Sequence, residues 1–120
     1  MLLAKLKSKI KHIHFIGIGG AGMSALAELT HQMGYTVSGS DVSYSLVIDQ
    51  LIKNYGTQFH LGHDGQNVKM ADLIIYSTAV SEENPEIVRA QQLNKPVINR
   101  IEYLSYLMAN KRGITITGTH

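Results

Sequence analysis

Residues 12–41, HIHFIGIGGAGMSALAELTHQMGYTVSGSD, constrain this chain more than any other stretch. An apolar strand runs into a glycine turn, the turn opens a helix, and a second strand ends on an acid. Gly17, Gly19 and Gly22 satisfy G-x-G-x-x-G, and Asp41 follows Gly22 by 19 residues, against about 20 for the ribose-binding acid of such a unit. Gly17 permits the tight turn, Gly19 lets backbone approach a pyrophosphate, and Gly22 lets the helix pack close to the strand. The free N–H groups at the helix start, together with its dipole, make an anion site that needs no cationic side chain. The stretch therefore predicts binding of a nucleotide diphosphate. The same spacing also fits a strand-to-helix turn whose glycines serve packing alone, although packing does not ask for the additional Gly20 and a following acid. Asp41 likewise fits as the cap of a helix beginning just after it.

The chain has 120 residues, 44% of them hydrophobic and 17% charged, which suits one folded domain and argues against disorder. A net charge of +2 is too mild to argue for nucleic acid, and aromatics at 7% supply no base-stacking platform. Part of the positive charge is the arm carrying Lys5, Lys7, Lys9 and Lys11. The absence of cysteine excludes disulfides, thiolate zinc sites and cysteine nucleophiles, and fits a reducing cytoplasm. No apolar run approaches the ~18 residues of a membrane span, and MLLAKLKSKIKH lacks the continuous apolar stretch of a signal peptide. That lead-in reads as a solvated segment docking a few aliphatics, with a short amphipathic surface helix as the other option. The expectation is a cytoplasmic chain with no nucleic acid, no membrane and no obligate protein partner.

Downstream, strands and helices keep alternating. A first helix over 22–33 places Met23, Leu26, Ala27, Thr30 and Met33 on one stripe and ends at Gly34. Residues 36–38 make a second strand. Val47, Ile48, Leu51, Ile52 and Tyr55 stripe a second helix that Gly56 closes. Strands follow over 57–60 and over 73–76, the latter apolar on both faces as a parallel sheet demands. Pro85 starts a third helix, with Glu82, Glu83 and Glu86 at its positive end. A short strand over 96–98 precedes a helix over 100–109 with Ile101, Leu104, Leu107 and Met108 as its stripe. The order predicts an α/β fold, a Rossmann-like doubly wound parallel sheet in three α/β/α layers.

Residues 114–117 begin a further strand that runs into Gly118-Thr119-His120 and stops. A half-built element at a terminus predicts that the protein continues beyond residue 120, and a strand followed by G-T-H is how a phosphate loop begins. The expected division is 1–113 as the nucleotide-sugar-binding domain and 114–120 as the start of an ATP-binding domain.

Several segments together resemble the Mur ligases, which build the peptidoglycan peptide: HFIGIGGAGMSALAE, GYTVSGSD, YSTAVSEENPEIVRA, PVINRIEYL and the terminal ITGTH. The likeness runs from about His12 to His120 and is strongest to the branch that joins L-alanine to UDP-N-acetylmuramate. A relative that recycles a murein tripeptide is the nearest confusion. The resemblance implies a Rossmann-like first domain holding the UDP part of UDP-N-acetylmuramate, followed by a domain opening with an ATP loop. ATP and Mg²⁺ then serve the full-length enzyme, which phosphorylates the muramoyl carboxylate before the amine of L-alanine attacks. This chain would carry no catalytic residue, need no cofactor or metal, and be inactive alone.

The site implied by the resemblance joins the glycine turn to other loops. Backbone amides of Gly19, Gly20, Ala21, Gly22 and Met23 would bind the pyrophosphate, with a hydroxyl from Ser24. Ser40 and Asp41 lie where ribose or uracil groups are expected, and Ser77, Thr78 and Ala79 follow the fourth strand at the same carboxyl edge. His63 falls where the family carries a histidine near the phosphates, and a solvated loop histidine fits the position as well. Arg100 matches an arginine before the last helix that reaches phosphate or carboxylate, a salt bridge to Glu102 being the plainer option. Gly118, Thr119 and His120 would open the ATP loop. His12, His14 and His60 lack the supporting ligands of a metal site and read as structural. Two other functions share the fingerprint: an NAD(P)-dependent oxidoreductase with Asp41 on the adenosine ribose, and a nucleotide-sensing regulatory domain.

Overall fold

The computed structural model describes residues 10–110. The expected strand over 114–117, the loop residues Gly118, Thr119 and His120, and the lysine-rich lead-in before Ile10 lie outside the described residues.

Five parallel strands form one sheet in the order β3-β2-β1-β4-β5. They are β1 (His12–Ile16), β2 (Thr36–Asp41), β3 (Gln58–Leu61), β4 (Leu73–Tyr76) and β5 (Val97–Asn99). The helices are α1 (Ala21–Gln32), α2 (Leu46–Tyr55), α3 (Pro85–Gln92) and α4 (Arg100–Asn110), with a 3₁₀ turn at Gly65–Val68 on the crossover from β3 to β4. The strand order reverses between β1 and β4, the two neighbours whose registers pair Ile13 with Leu73 and Ile16 with Tyr76. The doubly wound prediction holds. The second strand runs farther than its three expected residues, through Asp41.

Alternation along the strands sends one set of side chains to each side of the sheet. Ile13, Phe15, Val37, Leu73 and Ile75 meet Met23, Leu26 and Ala27 of α1, Ile48 and Leu51 of α2, and Tyr103 and Leu107 of α4. Ile16 and Ile74 meet Val68, Ala71, Ile87 and Ala90 on the opposite side. Three helices therefore cover one face, and α3 with the 3₁₀ turn covers the other.

Local chemistry sets the helix ends. Gly34 and Gly56 follow α1 and α2 at φ 96° and 75°, the left-handed conformation that stops a helix. Ser45 caps α2 by accepting the Ile48 amide, so Asp41 is not that cap. Asn84 caps α3 by accepting the Glu86 amide at 2.9 Å, with Pro85 in the first position. Asn99 and Glu102 exchange reciprocal bonds at the start of α4, 2.8 Å from the Glu102 amide to Asn99 Oδ1.

The last helix corrects the expected stripe. Its buried face is Tyr103 and Leu107, while Ile101 is 56% and Leu104 38% exposed. Tyr103 wins the core position because its ring meets Phe15 edge-on at 5.9 Å and its hydroxyl meets the Thr30 hydroxyl at 2.6 Å. A period that counts only aliphatics passes over a tyrosine whose polar tip finds a buried partner.

Candidate functional site

Among the described residues, the expected substrate-binding groups lie on the strand ends and following segments at the carboxyl edge of the sheet. The glycine turn follows β1, Ser40 and Asp41 end β2, His63 follows β3, Ser77 follows β4, and Arg100 follows β5. In an open parallel sheet that edge, at the point where strand order reverses, is where ligands bind. The two loops flanking the reversal touch: a Cβ on Gly17 would lie 3.6 Å from Val80 Cγ2 and 3.8 Å from Ser77 Cβ.

The turn itself is tightly specified. Gly17 has φ 83°, which favours glycine, and its amide and that of Ile18 donate to Ser40 O at 2.8 and 3.0 Å. Asp41 Oδ2 accepts the Gly19 amide at 2.8 Å, and Oδ1 accepts the Val42 amide at 2.7 Å. The Gly20 amide closes the turn onto Gly17 O at 3.0 Å. Gly19 and Gly20 therefore spend their amides inside the turn, a correction to the expected anion donors. The amides of Ala21, Gly22 and Met23, in the first turn of α1, make no such bond among the described residues, and no acid stands in that turn. The donors left for the expected anion narrow to these three and the positive end of the helix.

Two further glycine roles change. A Cβ on Gly19 would point inward, 3.0 Å from both Asp41 Oδ2 and Ile48 Cδ1, so this glycine serves the packing of the turn rather than an approaching phosphate. A Cβ on Gly22 would meet Arg100, at 2.8 Å from Nη1 and 3.0 Å from Cδ, rather than the strand. The absence of a side chain at Gly22 lets the Arg100 guanidinium lie over the first turn of α1. Arg100 is partly buried and has no ion pair among the described residues, Glu102 being engaged with Asn99. A cation placed beside unspent amides is chemistry for an anion.

The other expected members are arranged less directly. Ser24 turns its hydroxyl back to Ala21 O at 3.3 Å, so it offers no free donor here. Ser77 Oγ accepts the Ala79 amide at 3.1 Å, which shapes the loop and leaves Thr78 and Ala79 exposed beside it. Met23 keeps its side chain in the core and brings only its backbone.

A buried polar network lies behind this edge. Glu86 of α3 is fully buried and accepts four bonds: His14 Nε2 at 2.7 Å and Ser40 Oγ at 2.8 Å on Oε1, Asn67 Nδ2 at 2.8 Å and the Asp64 amide at 3.1 Å on Oε2. His14 meets Ser38 at 2.7 Å through its other ring nitrogen, and Ser38 meets His12 at 2.8 Å. Burial would push the Glu86 carboxyl up, but the hydrogen bonds and charge of His14, with Asn67 and Ser40, hold it down at about 2. His12 is pushed below the usual imidazole range by burial first and then by His14. His12 and His14, expected to be structural, both meet Ser38 within this network. Glu86 was expected only as a charge favouring the start of its helix. Its sequence signal was two strands with polar residues, His14 on β1 and Ser38 and Ser40 on β2, on one face, which demands a polar partner across the layer.

Comparison with known proteins follows the same lines. Residues 12–112 match the family model described as Mur ligase family, catalytic domain. The chain is 48% identical over 114 residues to the UDP-N-acetylmuramate–L-alanine ligase of Persephonella marina, covering 95% of this chain and 25% of that protein. It is 50% identical over 112 residues to the ligase of the same description from Clostridium tetani, covering 92% and 24%. The solved UDP-N-acetylmuramate–alanine ligase of Thermotoga maritima superimposes with TM-score 0.80 at 37% identity, over 86% of this chain and 24% of that one. This chain thus spans about a quarter of the length of the curated relatives it matches.

Proposed function

The chain belongs to the Mur ligase family, and we propose that its five-stranded domain binds UDP-N-acetylmuramate for the ATP-dependent joining of L-alanine in peptidoglycan precursor synthesis. The observation that carries this is the pairing at the start of α1: unspent amides at Ala21, Gly22 and Met23, with the Arg100 guanidinium drawn over Gly22. Together they form a diphosphate cradle at the reversal of strand order. Ser77, Thr78 and Ala79 flank it from β4, and Asp41 sets the turn that aims it. ATP with Mg²⁺ supplies the driving force of the ligation in the whole enzyme, and no described residue is assigned to either. The cysteine-free sequence fits a reducing cytoplasmic setting for that reaction.

The oxidoreductase alternative is not favoured. The matched family is one of ligases, and both oxygens of Asp41, the acid meant for an adenosine ribose, are engaged with backbone amides, those of Gly19 and Val42.

Side-by-side calorimetric titration with UDP-N-acetylmuramate, UDP and NAD⁺ tests the assignment. Saturable binding of UDP-N-acetylmuramate, competed by UDP and not by NAD⁺, is expected. Saturable NAD⁺ binding with no response to the UDP sugar overturns it.

A further inference from the structure

His63 stands just past β3 with one ring nitrogen turned inward. Ser40 spends its only hydroxyl hydrogen on Glu86 Oε1 at 2.8 Å, so the same oxygen accepts from His63 Nδ1 at 3.0 Å. The second carboxylate oxygen, Glu86 Oε2, lies 3.6 Å from that nitrogen. The tautomer is thereby set, with the proton on Nδ1. Nε2 has no hydrogen-bond partner among the described residues, and the side chain is 17% exposed. A buried carboxylate beneath a histidine that faces a ligand edge is the arrangement that orients a ring.

Packing alone does not require this. An aliphatic residue at position 86 with an aliphatic face on the sheet would fill the layer without desolvating a charge. Instead α3, a helix from the far side of the sheet, sends a carboxylate under β1 and β2 to reach the group on the β3 loop.

On the reading that the carboxyl edge is a UDP-sugar site, we propose that Glu86 is a positioning residue: through Ser40 it fixes His63 with Nδ1–H inward and Nε2 facing the diphosphate, where a second proton, taken from solvent as the anion binds, makes Nε2–H the donor. Glu86 itself touches no ligand. Its effect is carried entirely by the orientation of the His63 ring.

The test combines calorimetry with ¹⁵N spectroscopy of the imidazole rings, using UDP-N-acetylmuramate as the probe. His63→Gln, Glu86→Gln and Ser40→Ala are each expected to weaken binding about ten- to a hundredfold, the range of one charge-assisted hydrogen bond. Glu86→Gln and Ser40→Ala are also expected to release the His63 ring from the single Nδ1–H tautomer into a mixture. In the His63→Gln background neither substitution should weaken binding further. Ser40→Ala keeps the other bonds of Glu86, so it carries the test if Glu86→Gln fails to fold. A folded variant with wild-type affinity and a wild-type His63 ring spectrum overturns the positioning role, as does a loss that persists undiminished in the His63→Gln background. No binding by the wild-type chain overturns the UDP-sugar assignment, and the ligand half of this proposal with it.

Discussion

His14 and Glu86 stand 72 residues apart in sequence and 2.7 Å apart in space, both sealed from solvent. Each needs the other: a buried carboxylate without donors, or a buried ring without an acceptor, would be strongly destabilising.

Acid titration exposes that dependence. The folded Glu86 carboxyl is held at about 2, below its ordinary value of 4.5, so its contribution is present above pH 4.5 and is lost as pH falls toward 2. The expected loss is on the order of 3 kcal/mol. Urea unfolding at pH 7, 4 and 3 measures it. Glu86→Gln should be less stable at pH 7 and should show a shallower decline across this window. An equally steep decline in that variant would show that other carboxylates control acid unfolding.

Gly22→Ala places a methyl 2.8 Å from Arg100 Nη1. The arginine must swing off the first turn of α1, so UDP-sugar affinity should fall by about tenfold while the fold persists. Arg100→Ala should cost a similar amount, and the double variant should be scarcely worse than either, since both remove one contact. Strictly additive losses in calorimetry would place the arginine's contribution elsewhere.

Asp41→Ala frees the Gly19 amide that the carboxylate holds at 2.8 Å. Hydrogen exchange at Gly19 should accelerate, with stability lower by about 1–3 kcal/mol. Unchanged protection at Gly19 would mean that the turn keeps its shape without the acid.

The two sides of α4 should answer differently to truncation. Leu107→Ala removes a core side chain and should cost about 2–5 kcal/mol, whereas Ile101→Ala, at a 56% exposed position, should stay within about 0.5 kcal/mol. Thermal unfolding of the pair distinguishes the observed register from an Ile101–Leu104 stripe, which would give comparable losses.

Much of this was legible in the sequence because the signals were local. Gly34 and Gly56 announce helix ends, Pro85 a helix start, and Leu73 to Tyr76 a buried parallel strand, each through backbone chemistry acting within a few residues. The gathering of the candidate binding residues at the carboxyl edge followed from the same alternation. What escaped depended on partners distant in sequence. Nothing near Glu86 reveals that His14 and Ser40 await it, and nothing near Gly22 reveals Arg100. Asp41 was legible as an acid beside the turn, but not as the acceptor of the Gly19 amide, because that bond depends on the rotamer chosen once β2 lies beside β1. Tyr103 was passed over because its burial depends on the hydroxyl of Thr30 in another helix.

The polar underside of β1 and β2 also ties the register of the sheet to the helix packed beneath it. Sliding β2 one residue along β1 would turn Ser38 and Ser40 toward Phe15 and Met23 and carry Val37 and Gly39 to the histidine side. Such a slip leaves His14 facing hydrocarbon and Glu86 with no hydroxyl to meet. A sheet in the slipped register would therefore offer hydrocarbon where the Glu86 carboxylate of α3 needs donors, so the docking of α3 and the register of β2 stand or fall together.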